Sequence, residues 1–360
     1  MTHTLVIGGG IAGLSAAWAL ATDREVVLLE REAMLATHSS ARNAQIWLPI
    51  DDDRSTGPLA VRSAQLWTQL LGSEPRWLKR CGAVAIVTAD RQAAAVRGAR
   101  RGGVTAAPID RARLRELAPE VADLPGGAVA LEVNGAGVFE PSVMMDTLAA
   151  ACRARGVNMQ TRANVVALEL HGAEISGVRL ADGTSIRADE VVLAAGAWAS
   201  ALAETIARPV DLVPYRRHLV LLEAQRASPS IVWNFAEPSE VYWRSESGGV
   251  LVSPCDQVAS EPCLPVTDPC ALEHLAERLA HIAPDLCQAP VRTSWACLRT
   301  FAPDRELVLG QDPAISGLAW FAGLGGRGMT IGLAGGELLA TAMRGEPHPL
   351  LAGMRVGRSV

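Results

Sequence analysis

The tract Val6-Ile7-Gly8-Gly9-Gly10-Ile11-Ala12-Gly13 leaves the start of this chain little choice of fold. Residues 4–7 read as a buried strand and residues 14–21 as a helix, so the glycines stand in the pattern GxGxxG at a strand-to-helix turn. Gly8 permits the tight turn, Gly10 lets the backbone approach a pyrophosphate, and Gly13 lets helix and strand pack closely. Ile11 and Ala12 then begin a helix whose positive end faces the phosphates. A second strand over residues 25–29 ends in Glu30, twenty-two residues after Gly8, where a carboxylate can accept hydrogen bonds from an adenosine ribose. An acid there argues against a 2′-phosphate, hence against NADP. The pattern predicts dinucleotide binding and leaves NAD and FAD open, because both present ADP to the same turn.

At 360 residues, 49% of them hydrophobic, the chain can bury a large core, and about 150 residues per domain suggests two domains. A formal charge of -5, with the 33 basic residues scattered, gives nucleic acid no stripe to follow. Lys79 is the single lysine, a coding bias without mechanistic weight. The seven cysteines are odd in number and lack CxxC spacing; Cys255, Cys263 and Cys270 have no histidine at ligand spacing, so no metal site is expected. The chain shows no signal peptide and no apolar run of the roughly 20 residues that a membrane span needs. A cytoplasmic protein in a reducing compartment is the expectation.

Beyond Glu30 a polar, turn-prone stretch follows, His38-Ser39-Ser40-Ala41-Arg42-Asn43-Ala44-Gln45. Residues 76–140 alternate short β patterns with loops, including a strand over 84–88. Helical periodicity returns over 144–155, and strands follow near 160–170, 177–180 and 185–187, with Asp182-Gly183 as a hairpin turn. An apolar strand from Glu190 runs into the small residues Ala194-Ala195-Gly196-Ala197 before Trp198, which allows close approach to a ligand. A strand-rich region covers about 212–299. The chain finishes with a glycine-rich loop over 323–328 and a helix over 329–343.

Taken together, the GxGxxG tract, Leu28-Leu29-Glu30-Arg31, Ser39-Ser40-Ala41-Arg42-Asn43-Ala44, Ala194-Ala195-Gly196-Ala197-Trp198, Leu298-Arg299-Thr300-Phe301-Ala302-Pro303-Asp304 and the late glycine loop resemble the D-amino-acid oxidase (DAO) family of FAD-dependent oxidoreductases, essentially from end to end. Among its members the chain looks nearest to D-arginine dehydrogenase, with glycine oxidase and monomeric sarcosine oxidase as more distant relatives. The resemblance implies an α/β fold: a discontinuous FAD-binding Rossmann-like domain (1–75, 141–210 and 300–360) carrying an inserted α+β substrate domain on a mixed sheet (76–140 and 211–299).

The resemblance also assigns roles. Ser39 and Ser40 would offer hydroxyls to the pyrophosphate, with Arg31 and His38 nearby; Arg42, Asn43 and Ala44 would pass beside the isoalloxazine, and Val165 would meet adenine through its backbone. Ala195, Gly196 and Trp198 would border the cofactor. Gly325, Gly326, Arg327, Gly328, Met329 and Thr330 would cradle the N1–C2=O edge of the flavin at a helix N-terminus, where preorganised amides stabilise the charge that develops on reduction. Cys297 matches the position at which monomeric sarcosine oxidase holds FAD through a thioether; a small buried hydrophobe beside noncovalent FAD is the main expectation.

On the substrate side, Arg299 and Arg217 match a clamp that forks onto a carboxylate, with Arg216 as the register rival of Arg217. Tyr242 resembles the hydroxyl that completes the site, and Gly326 borders it. His218 follows Arg217 but alternates to the other side of its strand. No side-chain base is expected, since a desolvated pocket or a water can keep the amine neutral. An acid that would pair a substrate guanidinium is replaced by Ala83, so a pocket bordered by Ala83, Ile46, Leu48, Ile50 and Met329 should prefer a neutral or apolar side chain, although Asp51 to Asp53 could restore a charge. The implied activity is oxidation of the Cα–N bond of a D-amino acid, glycine or an N-alkyl amino acid, with O2 or a quinone as acceptor. A 2-hydroxy-acid or amine dehydrogenase, possibly a subunit, and a non-catalytic flavin-binding protein are the alternatives.

Overall fold

In the computed structural model, which describes residues 1–224, 228 and 230–358, the strand His3–Ile7 lies inside a six-stranded sheet. Glu25–Leu29 and Asn158–Gln160 continue it on one side; Glu190–Leu193, Leu318–Ala322 and the antiparallel Val308–Gln311 continue it on the other. A parallel sheet is covered on both faces, which is why these strands are near-continuous apolar runs such as EVVLL and LAWFA. Alternation sends Val6, Leu28, Val192 and Phe321 into a helical layer, and Leu5, Ile7, Leu29 and Trp320 into the opposite core.

The helical layer is Ile11–Leu20, Thr56–Leu71, Pro141–Ala154 and Gly328–Met343. All ten residues of Ile11–Leu20 are buried. The last helix approaches it closely: a Cβ at Gly332 would stand 2.7 Å from Ile11 Cγ1, and one at Gly336 2.4 Å from the Ser15 carbonyl oxygen. The other face of the sheet carries the antiparallel strands Val165–His171, Glu174–Leu180 and Ser185–Arg187.

A second, nine-stranded mixed sheet uses Ala83–Thr88, Thr105–Pro108 and Ala128–Asn134 from one stretch of chain and six strands between 213 and 301 from another. Its longest pairing is antiparallel, Val213–Leu222 against Val291–Phe301, with Tyr215 opposite Arg299 and Arg217 opposite Cys297. The helix Pro269–Ile282 packs Leu275, Leu279 and Ile282 against one face, with Val220, Val232 and Trp243. The other face turns Leu219, Tyr242, Leu251 and Cys297 toward Ala44, on the polar stretch that follows the first domain crossover.

Several helices correct the sequence reading. Thr56–Leu71 and Ala199–Glu204 lie where no element is expected, Gln92–Arg101 and Arg111–Leu117 where only strands and loops are expected, and Pro269–Ile282 and Pro284–Cys287 interrupt the strand-rich region. Gln92–Arg101 buries only Ala95, Gly98 and Ala99, so small residues hide its apolar stripe. Pro269–Ile282 begins at an aspartate cap, Asp268 accepting from Cys270 N, followed by a proline at the first helical position. Among the described residues no helix is long and apolar enough to cross a membrane.

Candidate functional site

A cavity of about 480 Å³ is lined by residues of both large sheets, of the glycine turn and of the late glycine loop. Gly8 makes the tight turn at φ 109, where a Cβ would stand 2.5 Å from the Ala194 carbonyl oxygen. Gly10, Ile11 and Ala12 bring the helix N-terminus to the wall. Gly13 is not on that wall; a Cβ there would lie 1.8 Å from Gly8 O, so its role is strand-to-helix packing.

Glu30 is 7% exposed on the cavity wall and accepts from Gly9 N at 2.6 Å and from Glu32 N at 2.8 Å. The carboxylate therefore braces the turn as well as presenting oxygen to the cavity. Near it the Arg31 guanidinium lies 4.7 Å from the Trp198 ring, and the His38 ring lies 4.8 Å from the same indole, tilted by 53°. Val165, Ala195 and Gly196 complete this end, joined by Ala163 and Asn164.

The serines do more than face a ligand. Ser40 Oγ accepts from Ile11 N at 2.9 Å, holding a free amide of the helix N-terminus, and Ser39 Oγ donates to the Leu298 carbonyl. Asn43 ties the segment together, donating to Ser39 O and Ser40 O while its Oδ1 accepts from Gln45 N. Arg42 departs from the expected position: its guanidinium donates to Ala296 O at 3.3 Å and borders a smaller neighbouring cavity, while Trp295 Nε1 donates to its carbonyl. Ala44 lines the main cavity.

At the far end Gly325, Gly326, Gly328, Met329 and Thr330 line the wall where the helix Gly328–Met343 begins. The Arg327 side chain turns away, donating to Asp53, to Thr56 Oγ1 and to the Arg305 carbonyl; it ties the loop to its surroundings instead of entering the cavity. Cys297 is buried on the cavity wall.

Arg299 is 9% exposed and lines the cavity, its Nη1 2.9 Å from where a Cβ on Gly326 would be. Among the described residues its guanidinium makes no hydrogen bond or ion pair. The Tyr242 hydroxyl, fully buried beside it, also lacks a partner, and burial pushes its ionisation up. Arg217 is 4% exposed, with Nε donating to the Asp256 carbonyl at 3.1 Å. It sits on the same sheet face as Arg299 but is not on the cavity wall, nor is Tyr242. Arg216 points the other way, to an ion pair with Asp268. Cys255 nearby has its thiol pushed up to about 12 by burial, so it is no nucleophile at neutral pH.

The expected side-chain pocket is only partly right. Ile46 and Met329 line the cavity; Ala83, Leu48 and Ile50 do not. Ala83 and Ala85 pair in register with Ile231 and Trp233, and the Trp233 indole takes the wall position those small residues leave. Phe139 joins it from the short strand Gly137–Phe139, and Cys263 and Pro265 come from the segment before Asp268. Strand pairing brings in Trp233 and Phe139, and the loop before Asp268 brings in Cys263 and Pro265, so no local spacing marks them as wall residues.

The donor set suits one cofactor throughout. Helix amides stand where a diphosphate would lie, a buried carboxylate where a ribose would, and a second helix N-terminus where the flavin edge would. The chain matches the family described as FAD dependent oxidoreductase (DAO) over residues 3–342. It is 26% identical over 382 residues to glycine oxidase from Pseudomonas putida, with 99% of each chain covered. It superposes on glycine oxidase from Geobacillus kaustophilus with a TM-score of 0.82 at 21% identity, covering 100% of both chains. L-proline dehydrogenase from P. horikoshii gives a TM-score of 0.83 at 22% identity over 97% of this chain and 95% of that one. The chain therefore belongs to the DAO family of FAD-dependent oxidoreductases, and FAD is the cofactor of its cavity.

Proposed function

We propose that this protein oxidises the Cα–N bond of a D-amino acid, glycine or an N-alkyl amino acid whose carboxylate docks on Arg299. FAD supplies the two-electron acceptor, and O2 or a quinone takes the electrons onward. The observation that carries the reading is the buried Arg299 guanidinium, aimed at the cavity beside Gly326 with no ion-pair partner among the described residues. A planar fork of donors held there suits a carboxylate bidentately. Arg217 and the Tyr242 hydroxyl would complete the clamp from the same sheet face.

Among the described residues lining the cavity, Glu30 is the one carboxylate and His38 the one imidazole, and both lie at the nucleotide end. Neither can serve the amine. The apolar wall of Ile46, Phe139, Trp233 and Met329 would instead disfavour the ammonium form, and the imino acid produced would hydrolyse in water to a 2-oxo acid and ammonia. In this reading residues 1–75, 141–210 and 300–360 serve the cofactor, and 76–140 and 211–299 serve the substrate.

The test is an anaerobic titration of the FAD-loaded protein with D- and L-amino acids, glycine, N-methylglycine and 2-hydroxy acids, followed in the visible flavin band. Bleaching by the first named amino acids with ammonia or amine release is expected. Bleaching by 2-hydroxy acids alone would replace this reading, and admitting air to the reduced protein separates oxidase from dehydrogenase.

A further inference from the structure

We infer that His218 is a positioning residue for the carboxylate clamp: it pins residues 256–268 at both ends and, through Asp256, aims the Arg217 guanidinium. The inference rests on the reading that Arg217 helps hold the substrate carboxylate.

Strand alternation puts Arg217 on the cavity side of Val213–Leu222 and His218 on the other. There the imidazole is 1% exposed and fully engaged. Its Nδ1 stands 2.7 Å from Asp256 Oδ2, while His218 N donates to Asp256 Oδ1 at 2.9 Å. Its Nε2 accepts from the Asp268 backbone N–H at 2.9 Å. A ring nitrogen that accepts from an amide carries no proton, so the proton is on Nδ1 and is donated to Asp256. His218 thus bridges the two ends of one segment, donating through Nδ1 and accepting through Nε2.

At the first end, burial alone would raise the Asp256 carboxyl, but the hydrogen bonds from His218 and the nearby charge of Arg217 hold it below the usual carboxylate range. The carbonyl of the same residue accepts from Arg217 Nε. Among the described residues the two terminal nitrogens of Arg217 make no hydrogen bond, so one edge of the guanidinium is anchored and its fork is left free. At the second end, Asp268 caps the helix Pro269–Ile282 and pairs with Arg216. Between the ends, Cys263 and Pro265 reach the cavity wall. One imidazole therefore governs the aim of Arg217.

The two nitrogens can be tested separately, because Asn carries a donor to the place of Nδ1 and Gln an acceptor to the place of Nε2. Propionate serves as the probe, titrated into FAD-loaded protein and followed by the shift of the visible flavin spectrum, with propionamide as the uncharged control. His218→Gln should weaken propionate about tenfold, about 1.4 kcal/mol, as Arg217→Met does, and His218→Asn should weaken it less. In an Arg217→Met background either His218 substitution should cost no further affinity, because its effect runs through that guanidinium. If H218Q yields no FAD-loaded protein, H218N with and without R217M decides the same question. Losses that add to R217M, or H218Q binding propionate like the parent while R217M is impaired, would overturn the inference and leave the clamp standing. R217M binding propionate like the parent would overturn the role of Arg217 in the clamp, and this inference with it.

Discussion

Arg299→Met removes a charge and keeps an aliphatic stem of similar length, so it isolates what the guanidinium contributes. In the substrate-free protein that group is 9% exposed and, among the described residues, unpaired. A buried polar group without a partner costs about 1–3 kcal/mol, and a charged one no less. The substitution should therefore stabilise the FAD-loaded, substrate-free protein by about 1–3 kcal/mol, a Tm rise of about 2–6 °C at roughly 2 °C per kcal/mol for a long chain. Given a carboxylate, the same fork makes two charge-assisted hydrogen bonds of about 1.5–3 kcal/mol each. Their loss should raise KM by a factor of about 10² to 10⁴. Calorimetry of the holoprotein and anaerobic flavin bleaching measure the two effects independently. A variant that melts lower than the parent and bleaches with unchanged KM would refute the reasoning, because Arg299 would then be a structural residue with an unseen partner.

Gly325→Ala should leave most of the protein without flavin, read from the ratio of visible to ultraviolet absorbance, since φ is 54 there and a Cβ would stand 2.2 Å from the Phe301 ring. Glu30→Ala frees the amides of Gly9 and Glu32 and should weaken FAD by about 1–3 kcal/mol in an apoprotein titration. Because the Asp256 carboxyl lies below its unfolded value, its stabilisation is present above about pH 4 and disappears as pH falls through the folded value. The stability gap between the parent and Asp256→Asn should accordingly narrow as urea titrations move from about pH 6 to about pH 3. Acid precipitation should release all the yellow colour into the supernatant; colour retained in the pellet, and lost in Cys297→Ala, would instead establish a thioether.

What could be read in the sequence was whatever is local. Glu30, Ser40 and the glycines carry their roles in a turn or at a helix start, where spacing along the chain is also spacing in space. The wall formed by Phe139 and Trp233 was not legible, because Trp233 reaches it only through the pairing of Ile231–Asn234 with Ala83–Thr88, strands about 150 residues apart in a sheet whose order no short window encodes. Arg42 and Arg327 show a subtler limit: their motifs were found, but the side chains serve the neighbouring backbone and Asp53. The helix Thr56–Leu71 was not legible because Ser55 makes no capping hydrogen bond at its start and its buried stripe mixes Leu59, Leu66 and Trp67 with Gly57 and Ser63.

The contact between the first helix and the last acts as a ruler. Gly328 and Gly332 seat one helix on the Ile11 side chain of the other and Gly336 seats it on the Ser15 backbone, and both helices open their N-termini onto the same cavity. The separation of those two positive ends is thus set by how closely the glycine face of the last helix meets Ile11 and Ser15. The flavin edge and the diphosphate of FAD would lie at the two ends of this gauge, with the adenosine half extending beyond it toward Glu30. The reach from flavin edge to phosphate is in this sense a property of how two helices meet, and a bulkier residue at Gly332 would recalibrate it without touching the nucleotide.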